Sequence, residues 1–214
     1  ISWFFPELMA VSFSRQRTLS EAQRYGDLLR VLVRRNLKVR YRGSFLGAYW
    51  SLLNPLIMTG VYTMIFGSVF ASHYDNSILK YVLAAFTGLV VINFFTAATN
   101  QALVSVVGNG ALLNKVLLPV SVFPMSAIAA NAFQFVISSL PLLAVVTLLS
   151  SHNPLFLLAL LIPVSALFLV CAGFGFLTSA LYVFFRDLPY FYELFVFVLW
   201  ISSPVFYPED IVPD

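Results

Sequence analysis

Few side chains outside the N-terminal segment could carry out acid–base chemistry or bind a metal. Those that could lie in short polar stretches between or after long apolar runs, and they are His73, Asp75, His152, Glu209 and Asp210. A membrane-embedded glycan-processing enzyme could assemble such groups, but their spacing matches neither a metal site nor a catalytic triad. The single cysteine, Cys171, lies in an apolar run, where a small buried side chain is expected. We therefore predict no catalytic residue, no metal site and no cofactor bound by this chain.

The sequence also favours neither a nucleotide-binding site nor an ion-coupled transport site in this chain. A G-x-x-x-x-G-K-[ST] phosphate loop is missing, and the pairs Gly108-x-Gly110 and Gly173-x-Gly175 lack the residues that a phosphate cradle needs. The second pair lies deep in an apolar run and is typical of helix packing. An ion-coupled carrier needs ionisable residues inside the membrane, and Glu193, near the end of an apolar segment, is more simply a water-facing carboxylate. If the protein uses ATP, a partner chain has to bind it.

The elements that position these groups are membrane-spanning helices. Hydrophobic residues make up 60% of the 214 residues and charged residues 10%, whereas soluble domains carry about 25% charged residues. The intervals 43–74, 81–114 and 116–185 hold no Asp, Glu, Lys or Arg, and a turn signal at 150–154 divides the longest. Since about 20 apolar residues cross a bilayer as a helix, we expect an all-α polytopic bundle. Its five predicted spans cover about 46–70, 80–104, 120–149, 155–185 and 190–207.

Nine of the twelve basic residues lie at or before Arg42. Between them, apolar residues recur at helical spacing, namely Tyr25, Leu28, Leu29, Leu32 and Val39. This pattern predicts an amphipathic helix over 20–43, lying in the headgroup plane with its apolar face towards lipid. Capping boxes at Ser20-x-x-Gln23 or Thr18-x-x-Glu21 could start it, and Gly43 could end it.

The charge distribution also predicts the orientation and the organisation of the chain. By the positive-inside rule the basic segment is cytoplasmic, so it faces lipid or a partner protein rather than nucleic acid. We divide the chain into an N-terminal cytoplasmic segment over 1–19, the interface helix over 20–43 and a transmembrane domain over 44–214.

An ordered motif leads into the first span. Its parts are Tyr41-Arg42, Leu46-Gly47, Trp50-Ser51 and Asn54-Pro55. The motif resembles the start of the first span in permease subunits of type-2 ABC exporters, most closely those that export O-antigen, capsular polysaccharide or teichoic acid. Two later stretches resemble the same family, namely NGALLNKVLLP over 109–119 and Arg186-Asp187 followed by Pro204 and Tyr207-Pro208.

The resemblance implies a function and a set of partners. It implies the membrane subunit of an exporter that moves a lipid-linked polysaccharide across the cytoplasmic (inner) membrane, working as a homodimer with a separate ABC ATPase that binds ATP and Mg. The family has six spans, so we expect one more span after the five found here. The alternatives are export of a lipid or drug by the same fold and, with less support, a membrane-embedded glycan-processing enzyme.

Three groups of candidate functional residues follow from the resemblance and from residue chemistry. Candidates for coupling to the ATPase are Asn109, Asn114, Lys115, Arg186 and Asp187. Candidates in the interface helix and the first-span motif are Arg34, Arg35, Lys38, Arg40, Tyr41, Arg42, Gly47, Trp50, Asn54 and Pro55. Aromatic faces stack on the C–H faces of sugars, and the candidates for a glycan path are Tyr62, Phe66, Phe94, Phe95 and Phe133.

Overall fold

The computed structural model describes residues 21–43, 49–113, 118–151, 155–203 and Tyr207, and these form helices and connecting turns without a strand. The helices are α1 (Glu21–Tyr41), α2 (Trp50–Phe70), α3 (Ile78–Gly108), the single turn α4 (Gly110–Leu113), α5 (Val122–Ser151), α6 (Leu155–Phe184) and α7 (Leu188–Ser202), with a 3-10 turn at Ala71–His73. The predicted all-α membrane fold is confirmed.

The helices differ in length in a way that matters for the site. Four of them, α2, α3, α5 and α6, are long and apolar enough to cross a membrane. At 1.5 Å per residue the 31 residues of α3 and the 30 of α5 measure about 45 Å, which exceeds a hydrocarbon core of about 30 Å. Their ends therefore extend beyond the core or tilt within it. The fifth predicted span forms a shorter apolar helix, α7, which ends at Ser202 rather than near 207.

Turn chemistry explains two of the boundaries. Gly43 follows the end of α1 with a φ of 78°, the left-handed conformation that glycine adopts without strain. Between α2 and α3, Asp75 and Asn76 have φ values of 52° and 55°, which short polar side chains tolerate best. Ser77 then caps α3 by accepting a hydrogen bond from the backbone N–H of Lys80 at 3.4 Å. The capping residues predicted for α1, Ser20 and Thr18, lie outside the described residues.

Helix α3 lies at the centre of the bundle and packs against α2, α5 and α6. The core on one side is aromatic: the ring of Phe94 is 4.7 Å from Phe135 and 5.2 Å from Phe168 between centroids. Phe94 and Ala102 of α3 lie next to Phe168 and Gly175 of α6, so α3 and α6 run parallel. Gln101 and Phe94 of α3 meet Asn131 and Phe135 of α5, so α5 runs antiparallel to α3. The end of α3, the start of α5 and the end of α6 therefore share one end of the bundle, which we call the α1 end.

One glycine is essential to this packing. A Cβ atom on Gly175 would lie 2.9 Å from the Cβ of Ala102 and 3.0 Å from Cδ1 of Ile128, whereas a Cβ on Gly173 would meet nothing within 4 Å. The Gly173-x-Gly175 pair was predicted to serve helix packing. The prediction is confirmed for Gly175, where three helices meet, whereas Gly173 faces open space within one copy of the chain.

Candidate functional site

The apolar face of α1 packs against protein. Leu32 is buried in a cluster with Val106 of α3 and with Val122 and Phe123 of α5, and three other members of the predicted face, Tyr25, Leu28 and Leu29, pack against the same cluster. Val39, the last member, is 68% exposed. The expectation that this face contacts lipid is therefore wrong for most of its length, because the ends of α3 and α5 offer it an apolar surface.

Side-chain hydrogen bonds tie α1 to the turn between α3 and α5. A guanidinium N–H of Arg35 donates to Oδ1 of Asn109 at 2.8 Å, and Nδ2 of Asn109 donates to the carbonyl of Ser105 at 2.7 Å. Burial lowers the pKa of Arg35. At the next residue of α1, Nδ2 of Asn36 donates to Oγ of Ser126 on α5 at 3.3 Å. Asn109, a coupling candidate, and Arg35, an interface-helix candidate, are thus hydrogen-bond partners.

A second network begins at Arg40, near the end of α1. Its guanidinium donates to Oδ1 of Asn131 at 2.9 Å and to Oε1 of Gln134. Asn131 in turn donates from Nδ2 to Oε1 of Gln101 at 3.0 Å. One chain of hydrogen bonds therefore joins α1, α5 and α3. Sequence reasoning missed Asn131, Gln134 and Gln101, and the available signal was the presence of carboxamides within long intervals that hold no charged residue.

A polar cavity of about 350 Å³ lies beside this network, between α1, α2, α3 and α5. Four residues predicted from the sequence line it together, namely Arg40, Asn54, Pro55 and Phe94. The remaining polar lining was not predicted and comprises Asn93, Thr96, Asn100, Asn131, Gln134, Ser138 and Ser139. The structure thus brings the end of the interface helix and the Asn-Pro part of the first-span motif to one concave, polar surface.

The other candidates of the interface helix and motif lie apart from the cavity. Arg34 and Lys38 line an apolar groove of about 450 Å³ between α1 and Phe133 of α5. Arg42 and Trp50 are exposed. The side chain of Tyr41 and the whole of Gly47, Asn114 and Lys115 lie outside the described residues.

Arg186 and Asp187 form the turn between α6 and α7 at the α1 end. Both are exposed, and the guanidinium carbon of Arg186 is 6.0 Å from the ring centroid of Tyr182. They therefore lie at the same end of the bundle as Asn109. In the described part of the chain, the side chain of neither makes a hydrogen bond to Asn109 or to α1.

The aromatic candidates are divided among several places. Phe94 is 6% exposed in the core, and Phe95 lies 5.7 Å from Phe174 of α6. Tyr62 and Phe66 lie stacked along α2 with their centroids 6.3 Å apart. Phe133 is 53% exposed in the groove beside α1. Within one copy of the chain these five rings do not form one continuous surface.

Of the residues suggested for an enzyme, the structure describes His73 and Asp75. Asp75 accepts a hydrogen bond from Nζ of Lys80 at 2.5 Å, and this bond lowers the pKa of Asp75. His73 has Nδ1 3.2 Å from Oγ of Ser72. His152, Glu209 and Asp210 lie outside the described residues, and the residues that are described contain no cluster of metal-ligating side chains.

Known proteins match nearly the whole chain. Residues 27–214 match the family described as "ABC-2 type transporter". An O-antigen export system permease protein RfbA of Klebsiella pneumoniae is 31% identical over 190 residues, which are 88% of this chain and 71% of that protein. The protein of the same name from Myxococcus xanthus is 32% identical over 200 residues, which are 92% of this chain and 75% of that protein.

The chain therefore belongs to the ABC-2 type transporter family, as the motifs predicted. It is a multi-pass membrane protein and a transporter component rather than an enzyme. As the permease of an ABC export system it works with an ATPase partner.

Proposed function

We propose that the protein is the membrane-spanning subunit of an exporter that moves a lipid-linked polysaccharide across the cytoplasmic membrane. The observation that carries this proposal is the identity of 31–32% with two O-antigen export permeases over about nine tenths of the chain. Two copies form the membrane part, and ATP with Mg binds to the separate ATPase. The first-span motif supports a glycan rather than a drug as cargo, because it resembles the polysaccharide exporters most closely.

The charges of the described residues support an orientation with the α1 end in the cytoplasm. Arg34, Arg35, Lys38 and Arg40 all lie at this end, together with Arg186 in the turn between α6 and α7. At the opposite end the basic side chain in the described residues is Lys80, and Asp75 pairs with it at 2.5 Å. Loops rich in Lys and Arg stay in the cytoplasm, so the N-terminus lies on the side from which an ATPase would act.

The two hydrogen-bond networks give a route for the mechanical step. When the ATPase pair closes, it pushes on the segment between α3 and α5, in which Asn114 and Lys115 remain coupling candidates. Arg35 holds Asn109 of this segment, and Arg40 joins Asn131 to the same helix. Because these hydrogen bonds link α1 to α3 and α5, a push on the segment is transmitted to all three helices. The path for the glycan then opens as these helices move relative to the other copy.

Deletion of the gene and complementation in the source organism test the proposal. We expect loss of surface polysaccharide, accumulation of lipid-linked glycan inside the cell, and co-purification of the permease with an ATPase. The variant Asn109→Ala should restore assembly with the ATPase but little export, whereas Arg30→Gln, on an exposed position of α1, should restore both. Unchanged surface polysaccharide in the deletion strain, or accumulation of a lipid without glycan, would contradict the proposed cargo.

A further inference from the structure

The polar cavity beside Arg40 has the form of a binding site. Its volume of about 350 Å³ lies within the usual range for small-ligand sites of about 300–1,000 Å³. Asn54, Ala97 and Asn100 on its rim are exposed, while Pro55 and Asn131 in its wall are buried. The cavity is therefore open on one side and closed by the packed helices on the other.

The charge of Arg40 is not neutralised by the helices around this cavity. No Asp or Glu occurs between Asp27 and Asp75 or between Asp75 and Asp187, so α2, α3 and α5 contain none. On α1 itself the carboxylate of Asp27 lies 3.9 Å from the guanidinium of Arg30, more than three turns before Arg40. The described partners of Arg40 are the neutral amide oxygens of Asn131 and Gln134. A half-buried cation held only by neutral acceptors is complementary to an anion.

The donors that face the cavity define which anion fits. A guanidinium has five N–H donors, and two hydrogen bonds of Arg40 go to described side chains, which leaves donors for a ligand. The side-chain amides of Asn54 and Asn100 add further donors at the rim, on α2 and α3. A planar guanidinium group can donate two parallel hydrogen bonds to two oxygens of a phosphate. A small, strongly accepting oxyanion matches this donor set better than a neutral sugar.

We propose that this cavity binds a phosphate group, presented as the monoester headgroup of a lipid or as free inorganic phosphate. That the bound lipid is also the exported one rests on the proposed function, whereas the binding itself does not.

The experiment uses the permease with its ATPase in nanodiscs of phosphatidylcholine, with bound lipid counted by native mass spectrometry. Phosphatidic acid is the lipid probe, and inorganic phosphate in solution is the second arm. Arg40→Gln should weaken binding by about 10- to 100-fold, because hydrogen bonds to a charged group are lost. Because Arg40 also holds α1 in place, its loss could act through the position of that helix. A second variant therefore leaves the hydrogen bonds of Arg40 to Asn131 and Gln134 intact. Asn100→Asp should weaken binding by about tenfold through charge repulsion.

A matched control separates a site from general attraction to basic residues. Arg30→Gln, at an exposed position of the same helix, should bind within about twofold of the wild type. If inorganic phosphate shows the same dependence on Arg40 and Asn100 while phosphatidic acid does not, free phosphate is the ligand. Equal binding by all variants in both arms would overturn the proposal. A surface polysaccharide assay of the same strains reports separately on the proposed function, since export can fail or persist whatever the binding result.

Discussion

The α1 end and the middle of the bundle are held together by different forces. At the α1 end, Arg35 and Arg40 reach side-chain amides that lie 74 and 91 positions away in the chain. In the middle, Phe94 contacts Phe135 and Phe168 without a polar group between them. One region is stabilised by a few directional bonds, and the other by close contact between rings.

The difference follows from what surrounds each region, which is lipid tails around the middle of the bundle and water at the α1 end. Lipid tails are as apolar as the side chains in the core, so burial gives little driving force in the middle and shape has to supply the stability. At the membrane boundary, water competes for every hydrogen bond, so a polar contact there is worth about 0.5–1.5 kcal/mol and can be broken and remade. We infer that the middle is the rigid part of the protein and that the α1 end is the part through which movement is transmitted.

The largest expected effect comes from removing a ring in the middle. Phe94→Ala should lower the free energy of unfolding by about 3 kcal/mol, which is at the low end for such truncations. The substitution leaves a cavity in the core, but moving a ring between the core and lipid tails changes the free energy little. Thermal unfolding of the purified protein in detergent measures this effect. Phe184→Ala is the control, since Phe184 is 79% exposed and should change the stability little. Equal losses in both variants would mean that ring contacts do not stabilise the middle.

A steric change at the three-helix contact should rank next. Gly175→Ala places a methyl group 2.9 Å from the Cβ of Ala102, and overpacking of this kind costs about 1–3 kcal/mol. Gly173→Ala, two positions earlier on the same helix, meets nothing within 4 Å and should leave the midpoint of thermal unfolding unchanged. If the Gly173 variant were the less stable of the two, the packing of α6 against α3 described here would be wrong.

A double-mutant cycle on Arg35 and Asn109 sharpens the comparison at the α1 end. Arg35→Gln and Asn109→Ala should each release α1, and the coupling energy between the two sites should be about 1 kcal/mol. Hydrogen exchange of α1 is the suitable measurement, because the helix can detach while the bundle stays folded. Exchange should increase over Glu21–Tyr41 and stay low in α3. A global loss of protection would show that the α1 end is as much a part of the rigid core as the middle is.

The sequence predicted the helices of the fold better than the contacts between them. Long intervals without charge indicate membrane helices whatever they pack against, and the left-handed Gly43 ends α1 as its position suggested. The period of the apolar residues in α1 indicated which face is buried. It contained no information on what covers that face, because Val122 and Phe123 lie about 90 positions further along the chain.

The candidate site was harder to predict for the same reason. Arg40, Asn54 and Phe94 were each selected by residue type or motif, but their common cavity depends on how α1, α2 and α3 pack. Asn131 and Gln134 were missed because a carboxamide in an apolar helix has several ordinary interpretations. Among the aromatic residues, residue type and position within an apolar run cannot tell the buried Phe94 from the exposed Phe133.

The smallest expected effect lies at the end of the bundle opposite α1, in the exposed pair of Asp75 and Lys80. The hydrogen bond from Lys80 lowers the pKa of Asp75 below its ordinary 3.8, so the pair stabilises the fold above the unfolded pKa. This contribution is lost as the pH falls through the lower folded value. Asp75→Asn keeps a residue that tolerates the φ of 52° but removes the charge. The wild type should therefore unfold at a slightly higher temperature than this variant near neutral pH, and this difference should disappear as the pH falls below about 4. A difference that persists in acid would show that the turn itself, rather than the ion pair, depends on Asp75.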